Sequence, residues 1–477
     1  MIVNIPTPVL KALSLLNQAG YTAYLVGGCI RSILLQSNPK DYDITSNAEP
    51  EQVMRIFYDC HTVGTGVKHG TVLVVLDGFP LEITTYRIDG TYSDRRRPDH
   101  VQFTSRLEED LARRDFTINA MAWAPDLRKA ANDFFQIPQI PPEDIPVRFL
   151  AEDVVDPFGG QADLADKRIR CVGSPINRFS EDPLRILRAL RFASVLDFSI
   201  ESDTSAAIDQ TRDSLSLVAI ERIQVEFSEL ICGIRAAATI RDQLDVIGVF
   251  IPEILSMRGY ELLTAHHHLN LLEHTLNVLA QVPPSRTIRL AALLHDIGKP
   301  VVFGFDEQGI ARFYGHQSAG AAIARDILLR MRFDKLTIER VYQIILHHDA
   351  YPETTIRSVR RWLNKHGPDL AHDLLVFKEA DILAQHPDSL ESRLADLRLI
   401  RLIAGQILAE GHCLNLRDLA INGQDLIGLG FKPDRRIGRL LQMLLESVMD
   451  DQLHNEKASL IRAARNMLQE ELPRQEG

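Results

Sequence analysis

Apolar residues in the first part of the chain follow two different periods. They recur every three or four positions at 6–20, which predicts a helix, and they form a β-branched run at 71–76, which predicts a buried strand. Asp77-Gly78, between that run and the apolar segment 81–86, predicts a tight turn within a hairpin. An α/β domain is therefore expected at the start of the chain.

From about residue 180 onward the pattern is almost wholly helical. Apolar residues at three- and four-residue intervals occupy 182–198, 217–234, 259–281, 318–331, 336–348, 370–385 and 394–409. A last amphipathic block, 416–468, is broken at Asn422-Gly423 and at Gly428-Leu-Gly430. A mainly α-helical body behind the α/β head is therefore predicted. We place the domains at 1–125, 126–250, 251–390 and 391–477.

Composition narrows the class of protein without deciding its activity. A chain of 477 residues, with 45% hydrophobic and 25% charged residues, is typical of a globular protein with more than one core. The chain has no apolar run of bilayer length, and its N-terminus lacks a basic segment followed by an apolar one, so we expect a cytoplasmic protein with no membrane partner. The five cysteines form no Cys-x-x-Cys pair, which argues against a structural zinc site and a disulfide framework.

Charge is unevenly distributed along the chain. The net charge of −11 argues weakly against a nucleic-acid partner. Arginines nevertheless cluster at 95–97, at 113–114 and at positions 185, 188 and 191. A locally basic channel on an acidic protein is compatible with RNA, so charge alone leaves the partner open.

One stretch near the N-terminus combines two features that suit nucleotide chemistry. Gly27 and Gly28 open a short helical segment, where backbone N–H groups can approach a phosphate, and Arg31 lies one turn further on. Asp41 and Asp43, at i and i+2 beside a predicted strand, project on one face and suit Mg²⁺ together with substrate phosphates. Either feature alone is more typical of a turn or a solvated face; their order along the chain makes the combination informative.

Three further residues offer groups to the same site. Glu82, on the strand predicted beside Asp43, is a candidate third carboxylate, and a solvent-facing position is the open alternative. Asp115 and Asn119, at i and i+4, are expected on one face of a helix, where they could hold ribose hydroxyls. A local Arg–Asp pair at a helix start is the alternative for this second pair.

Asp182 and Arg185 form a pair that could select a base. A carboxylate accepts from an exocyclic amine, and a guanidinium donates to a ring nitrogen or a carbonyl. Cytosine and adenine carry that amine, whereas uracil presents an oxygen, so the pair would accept C and A and reject U. Because Pro183 suits the first position of a helix, an N-cap role for Asp182 remains the alternative.

Five segments resemble, in order, the motifs of one enzyme family. Gly-Gly…Asp-x-Asp at 27–43 resembles the signature of the DNA polymerase β superfamily of nucleotidyltransferases. Val-Gly-Gly-x-x-Arg and Lys-Asp-Tyr-Asp-Ile-Thr resemble, more narrowly, the class II tRNA nucleotidyltransferases and bacterial poly(A) polymerases. The segments 113–120, 156–164, 181–185 and 221–227 resemble the other four motifs.

The resemblance implies a polymerase β-like mixed sheet and template-independent addition or repair of the tRNA 3′ CCA from CTP and ATP. It implies Mg²⁺ at the catalytic residues Asp41 and Asp43. The nucleotide-binding residues that it implies are Gly27, Gly28, Arg31, Arg114, Asp115, Asn119, Asp156, Asp182, Arg185, Arg188 and Arg191. Addition of A alone, addition of C and C alone, and poly(A) synthesis are the alternatives, and the full-length polar loop at 87–106 favours complete CCA or A addition.

The sequence departs from the family pattern at three places. Ser32 stands where an acidic residue usually follows the motif arginine, and a proline-dense segment at 136–146 looks like an extended insertion. In the tail, Asp434 and Arg435 replace a usual Gly-Pro. The orientation of Arg31 is the feature that the first departure affects most.

A second constellation lies in the helical body. Its members, in chain order, are His274, His295, Asp296, His316, His347, His348 and Asp381. Imidazoles and carboxylates suit a divalent metal. His295-Asp296-Ile-Gly-Lys-Pro resembles the HD superfamily of metal phosphohydrolases, which implies one metal at His274, His295, Asp296 and Asp381, and a second at His316 and His347. Phosphoester hydrolysis is the expectation, and an RNA-binding scaffold with idle ligands is the alternative.

Overall fold

The described residues form two compact units. The computed structural model describes residues 1–64, 66–126, 144–261, 270–305, 311–385 and 390–471. The chain divides after Pro252 into an N-terminal unit and a C-terminal unit. Across the described ranges, no helix combines the length and the apolar character that crossing a membrane requires.

Strands and short helices alternate in the N-terminal unit. Its strands are β1 (Ile2–Pro6), β2 (Ala23–Val26), β3 (Asp43–Ser46), β4 (His61–Val63), β5 (Thr71–Leu76), β6 (Phe79–Thr85), β7 (Arg87–Asp89), β8 (Val101–Phe103), β9 (Ala122–Trp123), β10 (Asp144–Arg148), β11 (Arg168–Ile169) and β12 (Ser199–Ile200). Its helices are α1 (Thr7–Gln18), α2 (Gly28–Leu34), α3 (Pro50–Ile56), α4 (Leu107–Ala112), α5 (Gly160–Ala165), α6 (Pro175–Glu181), α7 (Leu184–Leu196), α8 (Ser202–Thr211), α9 (Ile220–Ile231), α10 (Ala236–Asp242) and α11 (Leu244–Gly248). Short 3₁₀ turns lie at Val67–His69, Thr117–Asn119, Ala151–Asp153 and Arg212–Leu217.

A six-stranded mixed sheet organises this unit, with strand order β4-β5-β6-β3-β2-β9. β3 and β6 are parallel, and the other neighbours are antiparallel. The predicted hairpin joins β5 to β6 through Asp77 and Gly78, whose φ angles of 52° and 81° are the left-handed values of a type I′ turn. Leu25, Ile44 and Ile83 are fully buried in the sheet. The α/β class predicted for the head is confirmed.

Residues 115–119 do not form the α-helix that their spacing predicted. Phe116 is extended, and a 3₁₀ turn follows at Thr117–Asn119. The cause is that non-helical partners satisfy the backbone: Phe116 N–H donates to the Asp115 carboxylate at 2.8 Å, and Thr117 N–H donates to the carbonyl of Arg170 at 3.0 Å.

Two predicted loops also contain regular structure. The polar stretch 87–106 includes the antiparallel pair β7–β8. The end of the proline-dense segment belongs to β10, which pairs with β1, whereas 136–143 lie outside the described residues. Both pairings give the backbone hydrogen-bond partners that an irregular loop would leave to solvent.

The C-terminal unit is mainly helical, as predicted. Its helices are α12 (Leu271–Gln281), α13 (Arg286–Leu294), α14 (His316–Arg330), α15 (Lys335–His347), α16 (Ile356–His366), α17 (Pro368–Leu383), α18 (Leu390–Ala409), α19 (Gly423–Gly428), α20 (Arg435–Met449) and α21 (Lys457–Glu471). β13 (Gly304–Phe305) and β14 (Ala311–Arg312) form an antiparallel pair, and 3₁₀ turns lie at Pro252–Met257 and Leu416–Asp418. Asp434, which departs from the family pattern, caps α20 by accepting from the N–H of Arg436 at 2.8 Å.

Candidate functional site

Two of the candidate metal-binding carboxylates, Asp43 and Glu82, lie on neighbouring strands, and Asp41 lies two residues before the first of them. Asp43 begins β3, and its register partners are Val26 on β2 and Glu82 on β6. Paired residues on adjacent strands project on the same face, so Glu82 lies beside Asp43. Burial raises the pKa of Asp43, Arg114 opposes this, and the charges of Glu82 and Asp41 add to the rise. A divalent cation would relieve the repulsion among these three carboxylates, so the residues present fit Mg²⁺.

Gly27 allows a guanidinium to approach these carboxylates. Its φ of 79° is left-handed, and a Cβ there would lie 3.1 Å from Nη1 of Arg114 and 3.9 Å from Oδ2 of Asp43. Backbone conformation and close approach therefore both favour glycine. Gly28 begins α2, and a Cβ there would lie 3.6 Å from Nη2 of Arg31.

Asp110, which the sequence analysis did not single out, orders the two arginines of the second motif. It is fully buried on α4, and Oδ1 accepts from Nη2 of Arg113 at 2.7 Å. Oδ2 accepts from the Thr45 hydroxyl at 3.0 Å and from Nη2 of Arg114 at 3.4 Å. The i,i+3 and i,i+4 spacing from Asp110 to these arginines is the sequence signal that identifies it.

The predicted ribose-binding pair belongs to a continuous polar chain. Arg31 donates to Asn119, whose amide donates to Asp115 Oδ1 at 3.2 Å. Nε of Arg188 donates to Asp115 Oδ2 at 2.7 Å. Burial raises the pKa of Asp115, but the guanidiniums of Arg188 and Arg185 outweigh burial, so this pKa lies well below its usual range. Asp115 and Asn119 thus meet as predicted, although no α-helix joins them.

Replacing Asp115 with Asn should destabilise the N-terminal unit by about 3 kcal/mol at pH 7, because it removes the nearer of the two buried carboxylates beside Arg188 and leaves only Glu226, 3.6 Å away. A carboxylate whose pKa is depressed in the folded state stabilises the fold above its unfolded pKa. That contribution is lost as pH falls below about 4. Urea unfolding of both proteins at several pH values should therefore give a difference that shrinks in acid. A difference that grows as the pH falls would contradict this ion pair.

Asp182, the predicted base-reading carboxylate, is held between two helices. It accepts from Nη1 and Nη2 of Arg222 at 3.3 and 2.7 Å, and its Oδ1 accepts from the N–H of Leu184 at 3.1 Å. α7 is assigned from Leu184, but Pro183 already has helical φ and ψ angles of −58° and −22°, and Asp182 before it is extended, as an N-cap residue is. Arg222 belongs to the fifth motif, so this motif contacts the fourth directly.

Arg185 has a different set of partners. It donates to the carboxylate of Glu181 and, at 3.1 Å, to the carbonyl of Arg178. Its guanidinium carbon lies 6.0 Å from the ring centroid of Tyr92, which belongs to the segment 87–106. The structure therefore places part of that segment beside the predicted base-selecting arginine.

Arginines surround Phe192 on α7. Arg31, Arg188 and Arg191 lie 4.8, 5.5 and 4.4 Å from its ring centroid. Glu226 on α9 pairs with Arg191 at 2.8 Å and lies 3.6 Å from Arg188. Burial, with the charges of Arg191 and Arg188, lowers the pKa of Arg31 to about 10. This concentration of positive charge suits a phosphate group.

A cavity of about 400 Å³ lies beside the metal-binding carboxylates. Its lining includes Arg31, Asp41, Asp43, Arg191 and Phe192, whereas Asp115, Asn119, Asp182 and Arg185 are not among the residues that line it. That volume lies within the range of small-molecule sites. The cavity brings the carboxylates and the arginines together around one space of nucleotide size.

Asp156, predicted from the hinge motif, holds the start of α5. Its two oxygens accept from the N–H groups of Gly160 and Gln161 at 2.7 and 2.8 Å. A Cβ at Gly160 would lie 2.3 Å from the carbonyl oxygen of Thr117, so α5 packs directly on the turn that carries Asn119. Asp156 therefore supports the nucleotide-binding turn through α5.

Four predicted metal ligands converge in the C-terminal unit. Nε2 of His274 lies 3.3 Å from Asp381 Oδ1 and 3.8 Å from Asp296 Oδ2. Nε2 of His295 lies 3.2 Å from the same Asp296 oxygen. All four side chains are buried. The donor atoms of His274, His295 and Asp296 lie within 4.8 Å of one another, close enough to surround one divalent ion, and Asp381 adjoins this group through its contact with His274.

Backbone carbonyl groups orient four buried histidines so that each can bind a metal ion. They are His274, His295, His316 and His348. In each, Nδ1 lies 2.7–3.4 Å from a carbonyl oxygen. A proton on Nδ1 leaves the lone pair on Nε2, the nitrogen that faces the cluster.

His348 occupies the position that was predicted for His347. Nε2 of His316 and Nε2 of His348 lie 3.7 and 4.0 Å from Asp296 Oδ1. The ring of His347 instead packs on His366, with centroids 4.7 Å apart. Neighbouring residues at the end of a helix point about 100° apart, so only one of them can face the cluster.

Four family models match the chain. They are the poly A polymerase head domain over 23–140, a probable RNA- and SrmB-binding site of polymerase A over 197–255, the HD domain over 264–386, and a putative domain 2 of tRNA nucleotidyltransferase over 401–464.

The similar curated proteins are CCA-adding enzymes. That of Lactobacillus johnsonii is 31% identical over 461 residues, covering 96% of this chain and 97% of the relative. That of Limosilactobacillus fermentum is 32% identical over 469 residues and covers 97% of each chain. The match to the Leuconostoc mesenteroides enzyme is 42% identical over 236 residues and spans about half of the relative, 52% of its length and 49% of this chain.

Solved structures show the same fold. The Bacillus stearothermophilus CCA-adding enzyme in complex with CTP has a TM-score of 0.66 at 26% identity, covering 97% of this chain and 98% of that chain. The Thermotoga maritima CCA-adding enzyme complexed with tRNA has a TM-score of 0.56 at 19% identity, covering 96% and 94%. At 19% identity, the similarity to the Thermotoga maritima structure shows a shared fold and nothing further.

Proposed function

We propose that this chain, a nucleotidyltransferase that belongs to the family of CCA-adding enzymes, builds or repairs the 3′-terminal CCA of tRNA from CTP and ATP and releases pyrophosphate. The observation that carries the proposal is the cavity in which Asp41 and Asp43 face Arg31 and Arg191. Carboxylates for metal and guanidiniums for phosphate are what nucleotidyl transfer requires at one place.

Each group in the cavity has a proposed task. Mg²⁺ bound at Asp41 and Asp43 would lower the pKa of the attacking 3′-hydroxyl and stabilise the leaving pyrophosphate. Arg31 and Arg191 bind the triphosphate, and the linked pair Asp115 and Asn119 positions the ribose. Because the donors are fixed by neighbours before substrate arrives, little reorganisation accompanies binding.

Base selection is proposed for Asp182 and Arg185. The carboxylate of Asp182 accepts a hydrogen bond from the exocyclic amine of cytosine or adenine, and Arg222 orients that carboxylate. Arg188 supports the pair through Asp115 and Glu226. In this proposal 1–125 transfer the nucleotide, 126–250 select the base, 251–390 hydrolyse phosphoesters and 391–477 bind RNA, in a cytoplasmic protein.

Addition by the whole chain tests the proposal. With Mg²⁺ and labelled CTP alone, a tRNA that lacks CCA should gain C; with labelled ATP alone, a tRNA that ends in CC should gain A. Labelling of only the second substrate would mean an A-adding enzyme, and labelling of only the first a CC-adding enzyme. A tRNA that gains a long A tract would mean a poly(A) polymerase. Each of these three results would overturn complete CCA addition.

The buried metal-ligand cluster supports a second activity, hydrolysis of phosphoesters in the C-terminal unit. Oδ1 of Asp296 is buried and has no hydrogen-bond partner among the described residues, so it suits a cation. A bound divalent metal would activate a water for attack on phosphorus. His274 and His295 present Nε2 to that ion, while Lys299 lies 2.6 Å from Asp296 Oδ2 and balances its charge.

His295→Ala should abolish metal-dependent hydrolysis of p-nitrophenyl phosphate and bis-p-nitrophenyl phosphate, because it removes a ligand from the centre of the cluster. Nucleotide addition should be unchanged, since the residues proposed for nucleotidyl transfer and base selection lie in the N-terminal unit. His347→Ala, next to the cluster in sequence but not in space, is the matched control and should retain hydrolysis. Hydrolysis that survives His295→Ala would exclude this cluster as its source.

A further inference from the structure

α16 carries basic residues along one exposed face. Arg357, Arg361 and Lys365 recur at every fourth position and are exposed, whereas Val359 and Trp362 on the same helix are buried. Positions i, i+4 and i+8 lie along one side of a helix, with a rise of about 6 Å between successive members. The helix therefore presents a row of three cations to solvent, which we call the basic row.

A single carboxylate orients two members of the basic row. Oδ1 of Asp450, the residue after α20, accepts from Nε of Arg357 at 2.7 Å and from Nε of Arg361 at 3.0 Å. Oδ2 accepts from Nη2 of each arginine at 2.6 Å. The side chain of Asp450 is 9% exposed, and those of Arg357 and Arg361 are 56% and 52% exposed. The carboxylate thus lies beneath two guanidiniums that face solvent.

The charges at this contact do not balance. Two guanidiniums share one carboxylate, so one positive charge remains, and Lys365 adds another. The hydrogen bonds to Asp450 use Nε and Nη2, which leaves Nη1 of each guanidinium to donate to a further anion. Because the arginines are already held in place, binding an anion costs them little side-chain freedom.

Arg360 anchors α16 beneath the basic row. It is 5% exposed, and its Nη1 donates to the carbonyl of Met449 at 2.7 Å and to the carboxylate of Asp451 at 2.8 Å. A cation at the C-terminal end of a helix also interacts favourably with the helix dipole. This contact ties α16 to the end of α20 and so keeps Asp450 in place under the two exposed arginines.

We infer that the basic row binds neighbouring phosphates of an RNA strand and that Asp450 orients its two arginines for this contact. Guanidiniums bind phosphate oxygens through paired hydrogen bonds. Cations spaced one helical turn apart suit a polyanion with regularly spaced charges better than a single small anion. The inference rests on the proposed function, which supplies tRNA as that polyanion. It extends the RNA-binding surface beyond 391–477 to a helix of the 251–390 domain.

The salt dependence of tRNA binding to the full chain tests the inference. Fluorescence anisotropy of a labelled tRNA that lacks CCA is measured over a series of KCl concentrations. Arg357→Gln/Arg361→Gln should weaken binding about tenfold and reduce the slope of log K against log salt by about 1.4 to 1.8, because each phosphate contact contributes about 0.7 to 0.9. Arg286→Gln/Arg330→Gln is the matched control. It removes two exposed arginines that each have a carboxylate of their own, Asp334 and Glu253, and it should leave the slope unchanged.

Two results would overturn the inference: an unchanged slope in Arg357→Gln/Arg361→Gln, or an equal loss of slope in the control. If Arg357→Gln/Arg361→Gln melts at a lower temperature by circular dichroism, Lys365→Gln decides instead, because Lys365 takes no part in the contact with Asp450. Its slope should fall by about 0.7 to 0.9. An unchanged slope in this folded variant would also contradict the basic row.

Addition kinetics separate this inference from the proposed function. Arg357→Gln/Arg361→Gln should raise KM for tRNA and leave kcat and KM for CTP unchanged, since the residues proposed for transfer and base selection lie in the N-terminal unit. If the parent extends tRNA and the variant has the same KM for it, this inference alone is overturned. If the parent does not extend tRNA at all, the proposed function is overturned and the inference with it.

Discussion

Asp43→Asn should lower the rate of CTP addition to tRNA by about a thousandfold or more, because it removes roughly 4 kcal/mol of metal-dependent transition-state stabilisation. Asp43 begins β3, lies in register with Glu82 and is influenced by the charge of Arg114, so its carboxylate is the one that would contribute most to holding a bound Mg²⁺. Single-turnover addition of labelled CTP measures the loss in the chemical step. The melting temperature should hardly change, because relief of carboxylate repulsion offsets the lost contact with Arg114.

Asp77→Asn is the matched control for this substitution. Asp77 lies in the β5–β6 turn of the same sheet and forms an exposed ion pair with Lys11 at 2.9 Å. Its replacement should leave addition within about a factor of two, since exposed ion pairs contribute roughly 0 to 1 kcal/mol. Normal addition by Asp43→Asn would show that these carboxylates do not hold the catalytic metal.

Asp182→Ala should reduce the preference for CTP over UTP by about 10- to 100-fold, the discrimination expected when a carboxylate that reads an exocyclic amine is lost. The structure adds a reason for a large effect: Arg222 loses both of its hydrogen bonds to Asp182 and would then donate to the uracil oxygen that Asp182 repelled. Competition of CTP and UTP for the same tRNA, followed by sequencing of its end, measures the ratio.

Asp182→Ser separates base selection from helix capping. Its hydroxyl can still accept from the N–H of Leu184, so the start of α7 remains capped, but it has no charge. Ser should therefore melt at a higher temperature than Ala, below the parent only by what the ion pair with Arg222 contributes, and should misincorporate like Ala. Glu201→Ala, which removes the cap of α8 at Thr204, should lower stability and leave base choice unchanged. Lost stability with unchanged base choice in Asp182→Ala would identify Asp182 as a cap only.

Local patterns were enough to predict much of this molecule. The β-branched run and Asp77-Gly78 predicted the hairpin, because turn chemistry and period-two burial depend on adjacent residues. The positions of Gly27 and Asp43 followed from motif order, and the structure gives the physical reason, a guanidinium packed against the glycine. The i,i+4 spacing of Asp115 and Asn119 predicted their contact correctly and their helix wrongly.

Contacts between residues far apart in the sequence were harder to predict. His347 and His348 are adjacent residues of the same type, and only the packing of α15 decides that His348 faces Asp296. The hydrogen bonds from Arg222 to Asp182 and from Thr45 to Asp110 join segments 40 and 65 residues apart. Periodicity describes one element at a time, so such partners emerge only when the elements are packed.

The sequence of the tRNA end after reaction tests the central proposal most directly. The full chain is incubated with Mg²⁺, CTP, ATP and a tRNA transcript that lacks its last three nucleotides, and the products are sequenced over time. The proposal predicts ends in C, then CC, then CCA, with no further extension. An unextended tRNA, or a heterogeneous tract of A, would contradict it.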